Sequence, residues 1–187
     1  MTPPLPPPAP ATVQRLLAGW HRAECAIAVS AFALIALLLI GDTLGRELLY
    51  PLVTLMGIDI GPTGIVGAQK MAVFALVIAT YAGIGIATAS AAHLVPQVAF
   101  GVVPAKWSAT VDRVADLLSG MLLLVAAWYG AHFVAGSYAT GMRASMLQWP
   151  VWPFQLAIPL GFVSAAVRYF CYARWPALRP RRAVAEP

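Results

Sequence analysis

Apolar residues dominate four long stretches of the chain, and polar residues are concentrated between and beyond these stretches. The apolar stretches cover about residues 24–44, 69–92, 114–136 and 152–172. A helix that crosses the hydrocarbon core of a bilayer needs about 20 residues. The pattern therefore predicts an all-α integral membrane protein with four transmembrane helices, in which residues 24–175 form the membrane domain.

The segments outside the spans carry different patterns. Residues 1–10 are rich in proline and predict a disordered tail, whereas residues 176–187 form a basic cytoplasmic tail. Apolar positions recur at helical spacing in residues 11–23, which fits either an amphipathic helix in the cytoplasmic interface or the first turns of span one. The apolar segment after residue 44 is expected to continue the helix and then lie at the membrane surface or against a partner.

The composition supports the membrane assignment. Hydrophobic residues make up 60% of the chain and charged residues only 10%, whereas about 25% of a soluble domain is charged. The net charge of +5 comes from basic residues that flank the spans rather than from one patch. The charge therefore gives no indication of nucleic-acid binding.

The basic residues also predict an orientation. Of the 12 lysines and arginines, three fall on one side of the four predicted spans, and these are Arg46, Lys70 and Arg143. The other nine are Arg15, Arg22, Lys106, Arg113, Arg168, Arg174, Arg179, Arg181 and Arg182. The positive-inside rule then places both termini in the cytoplasm. Lys70, Asp116 and Arg168 are interpreted as charges near span ends that reach water.

Small residues recur every fourth position within the spans. Such residues let two helices approach closely. The pattern predicts a compact four-helix bundle with close crossings. The positions are Ala75, Ala79, Gly83, Ala87 and Ala91 in span two, Ala127, Ala131 and Ala135 in span three, and Ala157, Gly161 and Ala165 in span four.

Candidate chemistry is sparse. The three histidines, at positions 21, 93 and 132, share no depth within the bilayer, whereas a haem needs ligands at matching depth. The central thirds of the spans carry no ionised side chain, and no nucleotide-binding loop or nucleophile–base pair is evident. We therefore expect no cofactor and no enzymatic activity. A stand-alone four-span redox protein (haem or quinone) or a lipid-modifying protein is the alternative.

Several short motifs resemble those of one family. Span four begins with the Trp149–Trp152 motif WPVW and continues with the sequence IPLGF at residues 158–162. Asp42, Arg46 and Glu47 follow span one, and Asp42 and Arg46 are spaced to form an (i, i+4) pair. Gly83, Gly85, His93 and Val103-Pro104 occupy matching places in and after span two. Over about residues 23–175, the chain resembles the small DctQ-type membrane subunit of tripartite ATP-independent periplasmic (TRAP) transporters.

The resemblance implies a small permease subunit of a sodium-driven transporter for organic acids in the bacterial inner membrane. Its implied partners are a large membrane subunit, which carries the sodium and substrate sites, and a periplasmic substrate-binding protein. The small subunit would anchor the large one as a scaffold and hold no substrate site. The candidate partner-interface or structural residues are Asp42, Arg46, Glu47, Ala75, Ala79, Gly83, His93, Trp149, Trp152, Pro159 and Gly161.

Overall fold

The computed structural model describes residues 9–57, 61, 63–90, 108–145 and 147–179. Its helices are α1 (Ala11–Leu44), a π-helical turn (Gly45–Leu49), α2 (Tyr50–Leu55), α3 (Ala68–Ala89), α4 (Ser108–Ala139), α5 (Trp152–Gln155), α6 (Ala157–Arg174) and a 3-10 turn (Pro176–Leu178). Within the described residues, four helical segments are long and apolar enough to cross a membrane: Ala11–Leu55, Ala68–Ala89, Ala109–Ala139 and Trp152–Arg174. The predicted all-α fold with four spanning helices is confirmed.

The first of these segments is much longer than a bilayer requires. It comprises 45 residues, and at 1.5 Å per residue it extends about 67 Å, against a hydrocarbon core of about 30 Å. Residues 11–23 are the first turns of this segment, and α2 carries it through the apolar outer residues. The helix therefore projects beyond the membrane or tilts strongly within it.

A π-helical turn at Gly45–Leu49 interrupts the regular hydrogen bonding of the first segment. The carbonyl of Gly45 accepts from the backbone N–H of Tyr50 and also from the hydroxyl of Thr63. A Cβ at position 45 would lie only 2.6 Å from the carbonyl oxygen of Thr63. Glycine therefore allows the loop before α3 to rest directly on the helix at this turn.

The four spanning helices pack in a row rather than around one core. α1 packs on α3, α3 on α6, and α6 on α4, and no comparable packing joins α1 to α4 among the described residues. The expectation of a compact bundle is therefore wrong. Small residues bring neighbouring helices together in pairs, while bulky side chains such as Leu37 and Leu122, each 71% exposed, point outward. Lipid can solvate these side chains as well as a protein core can.

Each contact in the row uses different small residues. Ala31 of α1 meets Ala75 and Ala79 of α3 in a small apolar cluster. Between α3 and α6, a Cβ at Gly161 would lie 2.6 Å from the carbonyl oxygen of Tyr81. These two interfaces depend on side chains of almost no volume, which lets the backbones approach closely.

The predicted small-residue stripes are only partly involved in these contacts. Gly83 has nothing within 4 Å of the place where a Cβ would lie, and Ala131 and Ala135 are exposed. In α4 the predicted Ala127 is buried. Two further close positions there are Gly120, beside Phe170, and Gly130, whose Cβ would lie 3.1 Å from Ile158 Cγ2. The spacing of four residues therefore identified the right residue type but only some of the right positions.

Candidate functional site

A buried ion pair joins the first and last spanning helices, α1 and α6. It lies toward the N-terminal end of α1 and the C-terminal end of α6. Glu24 of α1 is 7% exposed and Arg168 of α6 is 3% exposed. Arg168 Nη2 lies 2.5 Å from Glu24 Oε2. α3 packs on both of these helices, and a Cβ at Gly85 of α3 would overlap the Glu24 carboxylate. The absence of a side chain at Gly85 thus makes room for the pair.

Two further side chains complete the coordination of the carboxylate. The indole N–H of Trp20 lies 2.9 Å from Glu24 Oε1 and 2.8 Å from Ser164 Oγ, and the Ser164 hydroxyl itself donates to Glu24 Oε1. Charge-assisted hydrogen bonds of this kind are about twice as strong as neutral ones. They are also what makes a buried charge tolerable, because desolvation costs several kcal/mol per ion. We call Trp20, Glu24, Ser164 and Arg168 the buried polar cluster; Glu24, Ser164 and Arg168 are buried, whereas Trp20 covers them from the surface and is itself 57% exposed.

The cluster corrects the interpretation of Arg168 as a residue that reaches water from a span end. Its side chain points inward because it pairs with the Glu24 carboxylate at the same depth. The sequence held a usable signal. Glu24 lies at the start of span one and Arg168 near the end of span four. Because the chain crosses the membrane an even number of times between them, the two residues lie on the same side at similar depth.

Two cavities flank the cluster. An apolar cavity of about 330 Å³ lies on the side away from the N-terminal end of α1, between α1, α3 and α6, with Ile27, Tyr81 and Gly161 in its walls. A cavity of about 400 Å³ lies on the other side, toward the N-terminal end of α1, and its walls include His21 and Arg168. The ion pair therefore separates a lipid-like space from a polar one.

A second ionic cluster fastens the segment after α6 to the beginning of α4. Arg179 Nη1 lies 2.8 Å from Asp112 Oδ2, and its Nη2 lies 2.5 Å from Asp116 Oδ2. Arg179 Nε also donates to Asp116 Oδ2 at 2.9 Å. We expected Asp116 to reach water. Instead, two nitrogens of the planar Arg179 guanidinium donate to its carboxylate.

The predicted pair at the C-terminal end of span one is present. Arg46 Nε lies 3.1 Å from Asp42 Oδ1. The Asp42 side chain is 8% exposed and that of Arg46 54% exposed. Gly64 lies against both side chains, since its Cβ would be 2.6 Å from Arg46 Nε. Glu47 is exposed and forms no ion pair with any residue in the described ranges.

The remaining candidates lie apart from the buried polar cluster. Trp152 stacks edge-on against Tyr138 with ring centroids 5.5 Å apart, and Trp149 is 45% exposed. Pro159, in the first turn of α6, faces Gly130 of α4. His93 and the Val103-Pro104 motif lie outside the described residues. No group of three or more metal-ligating side chains occurs within the described part of the chain.

The chain is similar to a known protein family and to a curated relative. The family model described as "Tripartite ATP-independent periplasmic transporters, DctQ component" matches residues 35–175. The ectoine TRAP transporter small permease protein TeaB of Halomonas elongata is 23% identical over 94 residues, which cover 50% of this chain and 49% of the relative. The chain thus spans about half the length of this curated relative. No solved structure matches the chain.

The buried polar cluster lies across the boundary of the matched range. Ser164 and Arg168 fall within residues 35–175, whereas Trp20 and Glu24 precede them. The matched range therefore contains the arginine of the ion pair but not its carboxylate.

Proposed function

The chain belongs to the DctQ component family of tripartite ATP-independent periplasmic transporters, and from this premise we propose that it is the scaffold of such a transporter. The single observation behind the proposal is the match of the family model to residues 35–175. The resemblance seen in the motifs of the chain is thereby confirmed. Family membership favours a transport component over the alternative of a stand-alone redox or lipid-modifying protein.

The packing of the helices supports a scaffold role. A row of four helices has two broad sides, and large apolar side chains such as Leu37, Leu122 and Leu160 are exposed in this chain. A membrane partner can cover one side and leave the other to lipid. We propose that the partner is the large membrane subunit, which holds the sodium and substrate sites, and that a periplasmic binding protein delivers the substrate.

The proposed substrate is an organic acid taken up with sodium ions. The curated relative is named as an ectoine transporter subunit, so ectoine belongs in the same uptake assay. Among the described residues, the buried charged side chains are already paired, Glu24 with Arg168 and Asp42 with Arg46. We therefore assign substrate recognition to the partner subunits.

Reconstitution in liposomes tests the proposed function. The large subunit and binding protein should show sodium-driven uptake with this chain present and background uptake without it, because a moving transport domain needs a fixed element to move against. Adding back the chain should restore uptake with an unchanged order of substrate preference. Full uptake without the chain, or saturable substrate binding by the chain alone, would contradict the scaffold proposal.

The proposed location is the bacterial inner membrane, with both termini in the cytoplasm. The excess of basic residues beside the N-terminal and C-terminal ends is the physical reason. In a chain lacking Cys25 and Cys171, a membrane-impermeant thiol reagent applied to intact cells should modify a cysteine placed at Gly61. A cysteine placed at Ala185 should be spared, and its modification would show that the orientation is reversed.

A further inference from the structure

The side of α4 that is turned away from α6 carries a group of exposed aromatic side chains. α4 ends the row of helices and packs on α6 through its opposite side, where Ala127 and Gly130 are buried. On the free side, Trp128 is 65% exposed, Tyr129 is 70% exposed, and His132 is exposed as well. The rings of Trp128 and His132 meet edge-on, with centroids 4.8 Å apart. We call Trp128, Tyr129 and His132 the α4 aromatic face.

The α4 aromatic face lies deep within the membrane. One boundary of the span is given by Asp116, in the ionic cluster at the beginning of α4, and the other by Tyr138, beside the tryptophan that begins the last span. At 1.5 Å per residue, Asp116 and Tyr138 are about 33 Å apart along α4, close to the hydrocarbon thickness of about 30 Å. Trp128 is then about 15 Å and Tyr129 about 13 Å from the Tyr138 end, near the centre of the bilayer. His132 lies about 9 Å from that end.

Polar groups of the α4 aromatic face have no hydrogen-bond partner at this depth. Neither the indole N–H of Trp128 nor the hydroxyl of Tyr129 forms a hydrogen bond with any part of the chain that the structure describes, and His132 makes only the ring contact with Trp128 there. Lipid tails offer no partner either, and a polar group without one in hydrocarbon costs free energy. Across the interface between two membrane helices, such side chains find hydrogen-bond partners. The polar groups therefore favour a second protein helix over lipid.

Small residues beside the polar groups leave room for such a helix. Ala131 and Ala135 belong to the stripe predicted from the sequence, and both are exposed. Ala131 follows Trp128 by three residues and Ala135 follows His132 by three, so each is a surface neighbour of a polar side chain. Small side chains let the backbone of another membrane helix approach closely. The same surface thus combines close approach with groups that need hydrogen bonds.

We propose that the α4 aromatic face is the docking surface for a transmembrane helix of the large membrane subunit. An indole N–H can only donate, so this helix must present an accepting oxygen to Trp128 near the bilayer centre, from a serine, threonine, asparagine or glutamine side chain or from a free backbone carbonyl. The partner has to enter the bilayer to that depth, which a periplasmic protein does not do. The face lies at the end of the row and adjoins both broad sides, so the helix can belong to a partner that covers either one. The inference rests on the proposed scaffold function and names the surface through which the scaffold is attached.

Photocrosslinking in the complete transporter identifies the molecule that covers this face. The chain is co-expressed with the large subunit and the binding protein, and the photoreactive amino acid p-benzoylphenylalanine replaces Tyr129. We expect a crosslink to the large subunit. The matched control places the same amino acid at Phe154, which stacks on Phe74 within the chain and should give no such crosslink. A product that joins two copies of this chain, or crosslinks to lipid alone while the large subunit co-purifies, would overturn the proposal.

Three variants test the contacts by fluorescence titration of the labelled chain with the large subunit in bicelles. Tyr129→Phe should weaken binding about threefold, since one hydrogen bond between membrane helices is lost. Ala135→Leu should weaken it about tenfold, because the added side chain holds the partner helix away. Tyr138→Phe removes the same hydroxyl at the end of the span, where water can replace it, and should leave the affinity unchanged. All three changes are at exposed positions, so thermal unfolding of the chain alone should stay as in wild type.

The outcomes separate this proposal from the proposed function. If the wild-type chain binds the large subunit and all three variants bind it equally well, the α4 aromatic face is not the docking surface and the scaffold function stands. Equal weakening by Tyr138→Phe and Tyr129→Phe would also overturn the assignment. If the wild-type chain does not bind the large subunit at all, the proposed function itself fails, and this docking surface with it.

Discussion

Replacement of Arg168 by methionine is expected to destabilise the protein by about 3–5 kcal/mol, the cost of leaving one member of a buried ion pair without its partner. Glu24 would remain 7% exposed, with its charge balanced by no cation. The hydrogen bonds from Trp20 and Ser164 would persist but could not replace the guanidinium. Thermal unfolding of the purified protein, followed by intrinsic tryptophan fluorescence, measures the effect.

A double variant distinguishes loss of the charge pair from loss of packing. Arg168→Met combined with Glu24→Gln should recover most of the lost stability, because a neutral pair of similar volume often costs little. The matched control is the pair at the C-terminal end of span one, where the Arg46 side chain is 54% exposed. Arg46→Met should cost no more than about 1 kcal/mol, as expected for an exposed pair. Equal losses for Arg168→Met and Arg46→Met would disprove the buried role of Arg168.

Gly161→Leu should disrupt the contact between α3 and α6 and strongly lower the yield of folded protein. Even the first added carbon would lie 2.6 Å from the carbonyl oxygen of Tyr81 and 2.8 Å from its Cβ. Overpacking typically costs about 1–3 kcal/mol, and here the obstacle includes backbone that cannot move aside easily. Size-exclusion chromatography of a fluorescent fusion would show aggregated or degraded material.

Gly83→Leu is the matched control, since it makes the same change in the adjacent helix. Position 83 has nothing within 4 Å of an added Cβ. Leucine also has a higher helix propensity than glycine, by roughly 0.5–1 kcal/mol. The control should therefore fold as well as wild type or better. If both variants gave the same yield, close packing at Gly161 would not be what holds α3 and α6 together.

Local information was enough to predict the spans and the ion pair at the C-terminal end of span one. A membrane helix can be recognised from the length and hydropathy of one continuous stretch of sequence. Asp42 and Arg46 are four residues apart and therefore neighbours on one face of a helix, so their spacing alone predicted the ion pair. In the structure Arg46 Nε lies 3.1 Å from Asp42 Oδ1. Both predictions succeeded because no distant part of the chain is needed to make them.

The row of helices and the buried polar cluster depend on contacts between distant residues. In lipid, apolar side chains gain little by facing another helix, so hydropathy does not indicate which sides pack. Alanine occurs both in contacts and on exposed faces, as Ala79 and Ala135 show. Arg168 was misread because its partner lies 144 residues earlier in the chain. A search for opposite charges at equal predicted depth would have found the pair.

The order of the row also determines how the protein can be assembled during synthesis. α1 and α3 can associate as soon as both are made, but α4 must enter the bilayer before α6, the helix that carries its main packing surface in the described structure. Glu24 likewise enters the membrane long before Arg168 is synthesised. If synthesis stops before the last span, α1 and α3 can still pair, but Glu24 has no cation and α4 has no packing partner. Completion of α6 supplies both the cation for Glu24 and the packing surface for α4 at once.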